Sequence, residues 1–167
     1  LMTALALALT GCDRINPFTD GPQMLTGPAD INVRINSAGV ADGATVAIPD
    51  TSIGTARTRA ITIQNRGAED LLIGGATISD DAAGVFSLDT TGMELTVAGG
   101  EQTTFQAYFA PVAMGAYTAT LTITSNDTDE AAYEIYFTGT GVDTSECDID
   151  IYQGVTPIPD GTGAYDF

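Results

Sequence analysis

Histidine and lysine are absent from the 167 residues, and cysteine occurs only twice. Each absence removes a chemistry. Without histidine there is no Ser-His-Asp triad, no Cys-His pair and no histidine zinc site. Without lysine there is no P-loop lysine and no Schiff base. Positive charge is scarce too: 5 Arg stand against 16 Asp and 6 Glu, a formal net charge of −17. A chain this acidic is repelled by phosphate backbones, which argues against nucleic acid as a partner. The acid excess fits a solubility device and fits adaptation to high salt equally well.

What the chain does contain points to strands. Apolar residues make up 44% of it, too many for a disordered acidic tail. Its 19 Gly and 25 Thr favour turns and extended segments over helices. The first nine residues, LMTALALAL, form an apolar run. That run is too short for a bilayer, which needs about 20 residues, but suits the core of a secretory signal. A basic leader is missing and the chain begins at Leu1, so the true start is expected upstream. The run ends in Leu9-Thr10-Gly11-Cys12, which resembles the lipobox of bacterial lipoproteins. That resemblance implies a signal at 1–11 and lipidation at Cys12, anchoring the chain to a membrane of the bacterial cell envelope. A lasting anchor needs more than one acyl chain. Residues 13–29 are rich in Pro, Gly and Asp without periodicity and read as a tether. Residues 12–29 then form the lipidated, flexible lead-in.

From residue 30 the pattern changes to a period of two. Ile31, Val33 and Ile35 alternate with polar residues, as do Ile61 and Ile63. The same holds for Phe105, Ala107 and Phe109, for Ala119, Leu121 and Ile123, and for Tyr133, Ile135 and Phe137. This period sends one set to a core and the other to water. Gly and Asp clusters at Gly74-Gly75, Gly99-Gly100 and Asn126–Glu130 are read as the breaks between runs. The fold class expected is all-β, an Ig-like antiparallel β-sandwich of about seven strands over residues 30–142.

Three stretches make the expectation specific: RAITIQNRGAEDLLIGG, FSLD, and the long run from Gly99 to Gly141. The cadence Phe109, Pro111, Gly115, Tyr117, Ala119, Leu121, Ile123, Ser125-Asn126-Asp127 carries most of the signal. It resembles bacterial Ig-like repeats of the choice-of-anchor D class, close to hydin-type and major-sperm-protein-like domains. The resemblance covers about residues 29–142. It implies a seven-stranded sandwich serving as a spacer or adhesion-like module, and is nearly silent on chemistry.

A weak repeat follows. Asp30-Ile31-Asn32-Val33 recurs as Asp148-Ile149-Asp150-Ile151, and Asp42-Gly43 as Asp160-Gly161. Residues 143–167 are therefore read as a linker and the start of a truncated second repeat. The other reading makes them an edge strand added to the one sandwich.

Few residues suggest a site. Asp127, Asp129 and Glu130 crowd one loop and are weak calcium candidates, since calcium takes six to eight oxygens. A solvated hairpin turn is the favoured reading of that loop. Asp143, Glu146, Asp148 and Asp150 form a second acidic group at the presumed junction. Cys147 is read as a small buried residue, or as one half of a pair whose partner lies elsewhere. Arg57, Arg59 and Arg66 flank one strand and are expected to offset acids on a wet face. Nothing in the sequence places two carboxylates in a cleft, and no cofactor is implied. The leading expectation is a non-catalytic structural module, lipid-anchored, with other proteins as partners. The alternatives are a calcium-dependent adhesion or carbohydrate-binding module, or an accessory domain of a larger secreted enzyme.

Overall fold

The computed structural model of the chain describes residues 25–144 and two short strands at 151–153 and 156–158. The apolar leader, Cys12, most of the tether, Glu146, Cys147, Asp148 and Asp150 lie outside the described residues.

Six longer strands carry the architecture: β1 (Ile31–Ile35), β5 (Arg57–Asn65), β6 (Leu71–Ser79), β9 (Gln102–Phe109), β10 (Gly115–Ser125) and β11 (Ala132–Val142). Five short ones dress the edges: β2 (Ala38–Val40), β3 (Ala44–Ala47), β4 (Thr51–Ser52), β7 (Phe86–Asp89) and β8 (Thr96–Val97). One sheet has the order β2-β1-β5-β9-β7. The other has the order β3-β11-β10-β6-β8, with β4 also paired to β11. This is the expected Ig-like sandwich. Its edge strands are only two to four residues long, which gives an outside strand little to pair with.

Each alternation read from the sequence faces the space between the sheets. Val33, Ile61, Ile63, Phe109, Leu121, Ile123 and Ile135 are fully buried, with Phe105, Ala107, Ala119, Tyr133 and Phe137 nearly so. Threonines 118, 122, 124 and 138 take the outward positions of β10 and β11, where a β-branched polar side chain suits a wet pleated surface.

Two features depart from the simple pattern. After β2 the chain crosses to the second sheet, and β3 and β4 then run parallel to β11. Every other strand pair is antiparallel among the described residues. Gly74-Gly75, expected to separate two strands, lies inside β6 instead. Thr124 pairs with Gly75 and Ser125 with Ile73, so Gly74 is the extra residue of a bulge. A Cβ on Gly74 would stand 2.7 Å from the Thr124 hydroxyl oxygen, and Gly75 holds φ at +150°. The bulge therefore requires these glycines and lets β6 continue.

The strand directions give the sandwich two distinct ends. At the acidic end β1 begins, β5 and β10 finish and β11 starts. At the exit end β9 finishes, β10 starts and β11 leaves beside β4. The 11 residues of β10 separate the ends by roughly 35 Å. Beyond Thr144, β12 (Ile151–Gln153) and β13 (Thr156–Ile158) pair as a two-stranded sheet of their own.

Candidate functional site

At the acidic end, polar side chains hold strand termini that hydrophobic packing alone would leave frayed. Asn65, 1% exposed, closes β5. Its amide nitrogen donates to the carbonyls of Glu69 (2.7 Å) and Val97 (2.9 Å). Its side-chain oxygen accepts from the amides of Gly67 (3.0 Å) and Asp30 (3.3 Å). One buried side chain thereby joins β5, the turn before β6, β8 and the start of β1. Burial makes these bonds costly to lose, because each orphaned group would remain away from water.

Ser125-Asn126-Asp127 performs the matching task from the other sheet. The Asn126 side chain accepts from the Leu72 amide (2.8 Å) and donates to the Asp70 carbonyl (3.1 Å), pinning the start of β6. Ser125 Oγ accepts from the Asp127 amide (3.1 Å). Asp127, 3% exposed, takes the Ile31 amide on Oδ2 at 2.8 Å, across 96 residues of sequence, and the Asp129 amide on Oδ1 at 3.3 Å. The turn is thus not simply solvated: its aspartate is a buried clamp between the sheets.

Two of the three calcium candidates, Asp127 and Glu130, come together, with Asp30 as the third member. One carboxylate oxygen from each lies within 4.8 Å of the others, an arrangement that can hold a cation. Asp129 is exposed and outside that trio. Burial raises the Asp127 carboxyl pKa, but the Ile31 amide and bonds from Asp129 and Glu130 outweigh it and hold it below the usual range. For Glu130, burial and then the charges of Asp127, Asp42, Asp129 and Asp30 all push the pKa up. The buried Tyr133 phenol beside them is also raised, by burial first and then by Glu130 and Asp42. Its hydroxyl donates to the Val40 carbonyl.

The exit end is built from rings and close backbone contacts. Phe109 stacks on Phe86 with centroids 4.8 Å apart and meets Tyr117 edge-on at 5.7 Å. The Tyr117 hydroxyl donates to the Ala113 carbonyl (2.9 Å), fixing the loop between β9 and β10. Gly141 packs so tightly under that loop that a Cβ would lie 2.3 Å from the Ala113 carbonyl oxygen and 2.8 Å from Pro111. The Phe-x-Pro-x-x-x-Gly-x-Tyr half of the cadence therefore builds this end, and the Ser-Asn-Asp half builds the other.

That division accounts for a motif whose residues otherwise have no common chemistry. The sequence profile described as "Abnormal spindle-like microcephaly-assoc'd, ASPM-SPD-2-Hydin" (ASH) matches residues 35–132. The chain belongs to the ASH family. The match confirms the hydin-type resemblance, and no curated protein matches the chain.

Three solved structures are similar to the ASH chain at low sequence identity. A protein of unknown function from Porphyromonas gingivalis W83 superposes with a TM-score of 0.52 at 16% identity, over 74% of this chain and 50% of that one. The ASH chain thus corresponds to about half of that protein. The human CEP192 ASH/PapD-like domain 7 gives 0.44 at 13% identity, over 83% and 99%. The secreted serine protease VesC of Vibrio cholerae gives 0.45 at 14%, over 57% and 21%.

The remaining candidates of this ASH domain support the fold. Of the arginines flanking β5, Arg57 donates to the Asp50 carbonyl (3.1 Å), so it bonds a loop carbonyl rather than only offsetting acids. An open cleft of about 250 Å³ lies between the β6–β7 loop and the start of β10. Its carboxylates already have partners. Asp81 accepts from the amides of Val85 (3.1 Å) and Phe86 (2.8 Å), and Asp80 accepts from the Thr120 hydroxyl (2.8 Å). Sequence reasoning missed Asn65 and Asp30. The Asn-x-Gly turn signal after an alternating strand was the cue for Asn65. No local cue joins Asp30 to Asp127.

Proposed function

We propose that this ASH domain is a non-catalytic spacer and protein-contact module of a bacterial cell envelope, held to a membrane by lipid on Cys12. The observation that carries this reading is the path of the chain. It enters at the acidic end and leaves at the other, roughly 35 Å away. A sandwich threaded in this way adds its full length to whatever it joins. Loops at the ends of such a fold offer a variable contact surface on a rigid frame. Asp30, Asp127 and Glu130 gather at the end where the described chain begins, and like charge there disfavours collapse onto an anionic membrane surface.

The test of the anchor is Cys12→Ala. Labelled fatty acid should enter the wild type and not the variant, and the variant should leave the membrane fraction. Equal labelling of both proteins rejects the anchor. The alternative is a calcium-dependent adhesion or carbohydrate-binding module. A melting temperature raised by calcium would turn the assignment toward it.

A further inference from the structure

We infer that the outer face of β1, β5 and β9 is a binding strip for an extended, neutral, hydroxyl-rich chain, a polysaccharide. This goes beyond the spacer reading and needs neither the lipid anchor nor calcium.

The strip stands out by what it lacks. The chain carries 22 acids, yet the outward, even-numbered positions of β5 and β9 hold only Thr, Ala, Gln and Tyr. Asn32 of β1 continues them on one side. The charged side chains of this face stand at its margins and are engaged there. Arg34 donates to the Ser37 carbonyl (3.0 Å), and Asp89 accepts from the Thr91 amide (2.9 Å).

Strand register sets the side chains of the strip in rows. Asn32 lies opposite Gln64, and Gln64 opposite Gln102. Their amides form a relay: Asn32 Nδ2 donates to Gln64 Oε1 (2.9 Å), and Gln64 Nε2 to Gln102 Oε1 (3.0 Å). The next row joins the Thr62 and Thr104 hydroxyls (3.2 Å). Two rows further along, Tyr108 lies opposite Thr58. The relay uses one hydrogen of each donating amide, so each keeps a second N–H to offer. An amide presents donor and acceptor side by side, as a pair of hydroxyls does, whereas a carboxylate only accepts. The bonds already hold these side chains in place, so covering them costs little further rotamer entropy.

Charge and size select the occupant. An uncharged face in a chain of net charge −17 has nothing to pair with an ion, and matches a neutral ligand. Rows follow one another about every 7 Å along the strands, and neighbouring strands lie about 4.8 Å apart. The strip is therefore roughly 20 Å long and about 10 Å wide, on the order of 200 Å². A stable protein interface needs about 800 Å² from each partner, so the strip is too small to seat a second copy. It is the right shape for one narrow chain laid along the strands. The half-buried Tyr108 adds a ring against which the apolar face of a sugar can rest.

The experiment is affinity electrophoresis of the full chain in native gels cast with dextran, soluble starch, mixed-linkage β-glucan or galactomannan. At least one of these should retard the wild type, equally with and without EDTA, while alginate, a polyuronate, should not. The double variant Gln64→Ala, Gln102→Ala should bind that polysaccharide about tenfold more weakly, or worse. Slow hydrogen exchange at 119–123 verifies that the variant keeps its fold. Tyr108→Ala, at the far end of the strip, should weaken binding too and reads the strip independently of the relay. Thr122→Ala, on the outer face of the other sheet, should bind as the wild type does. No retardation by any of the neutral polymers, retardation lost with EDTA, undiminished affinity in the double variant, or an equal loss in Thr122→Ala would each overturn the inference. A wild-type dimer that the double variant splits into monomers, seen by sedimentation, would assign the strip to a second copy and overturn it as well.

Discussion

The two ends of the sandwich are closed by different physics. At the acidic end, Asn65, Asn126 and Asp127 bond backbone groups of strands distant in sequence, and carboxylates crowd around them. At the exit end, stacked rings and glycines that admit close backbone contact do the same work, and apolar side chains are left facing outward. A hydrogen-bonded closure is directional and titratable. A packed closure is neither, but it is sensitive to volume. The same fold thus carries one end that responds to pH and one that responds to shape.

The contrast can be broken from either side. The largest expected loss is at the packed end. Phe109→Ala removes a fully buried ring and both of its aromatic contacts, and should cost about 3–5 kcal/mol, read as a lower midpoint in chemical denaturation. That loss should not depend on pH between neutrality and about 5, since no titrating group is removed. Asn65→Ala follows, at about 3 kcal/mol, because it orphans the carbonyls of Glu69 and Val97 and the amide of Gly67. An Asn65→Ala chain as stable as the wild type would mean that water replaces the side chain, and the clamp at that end would have no energetic meaning.

The smallest effect is the most diagnostic. The Asp127 carboxyl is held below its ordinary 3.8, so its stabilisation is complete above that value and is lost as pH falls through the lowered folded value. Glu130 is raised above 4.5, so its ionised form is disfavoured in the fold. Stability is then gained as pH falls from neutrality through the raised value toward 4.5. The melting temperature should therefore rise on mild acidification and drop below about pH 3.8. Glu130→Gln should raise stability at pH 7 by less than about 1 kcal/mol and flatten the first limb. Asp127→Asn should lower it at pH 7 by about 1 kcal/mol and flatten the second. Calorimetry across pH with both variants reads all four outcomes.

The parts of this molecule legible in the sequence are those set by local period. Ile61-x-Ile63 and Leu121-x-Ile123 need only a pleat and one buried face, and every alternating set was found buried. The ASH cadence was legible because its rings, glycines and Ser-Asn-Asp are short-range patterns. The edge strands were not, because Ala38–Val40 and Thr96–Val97 are too short to show a period. Gly74-Gly75 misled because glycine in a bulge and glycine in a turn look alike until the partner strand is known. The acidic group was half legible. Asp127 and Glu130 share one turn, but Asp30 joins them only through strand register, which brings Ile31 to Asp127 across 96 residues.

The parallel run of β3 and β4 beside β11 has a mechanical meaning. A pull applied between the start of β1 and the end of β11 acts along these strands, toward opposite ends of the sandwich. The bridging bonds are then loaded in shear. Four residue pairs join β3 to β11 and two join β4 to it, and under shear they must yield together rather than unzip one by one. Forced unfolding is governed by the barrier to that collective step and not by the equilibrium stability of the domain. The short parallel edge thus reinforces β11, the core strand through which a pull on the exit is delivered, with pairs that resist sliding.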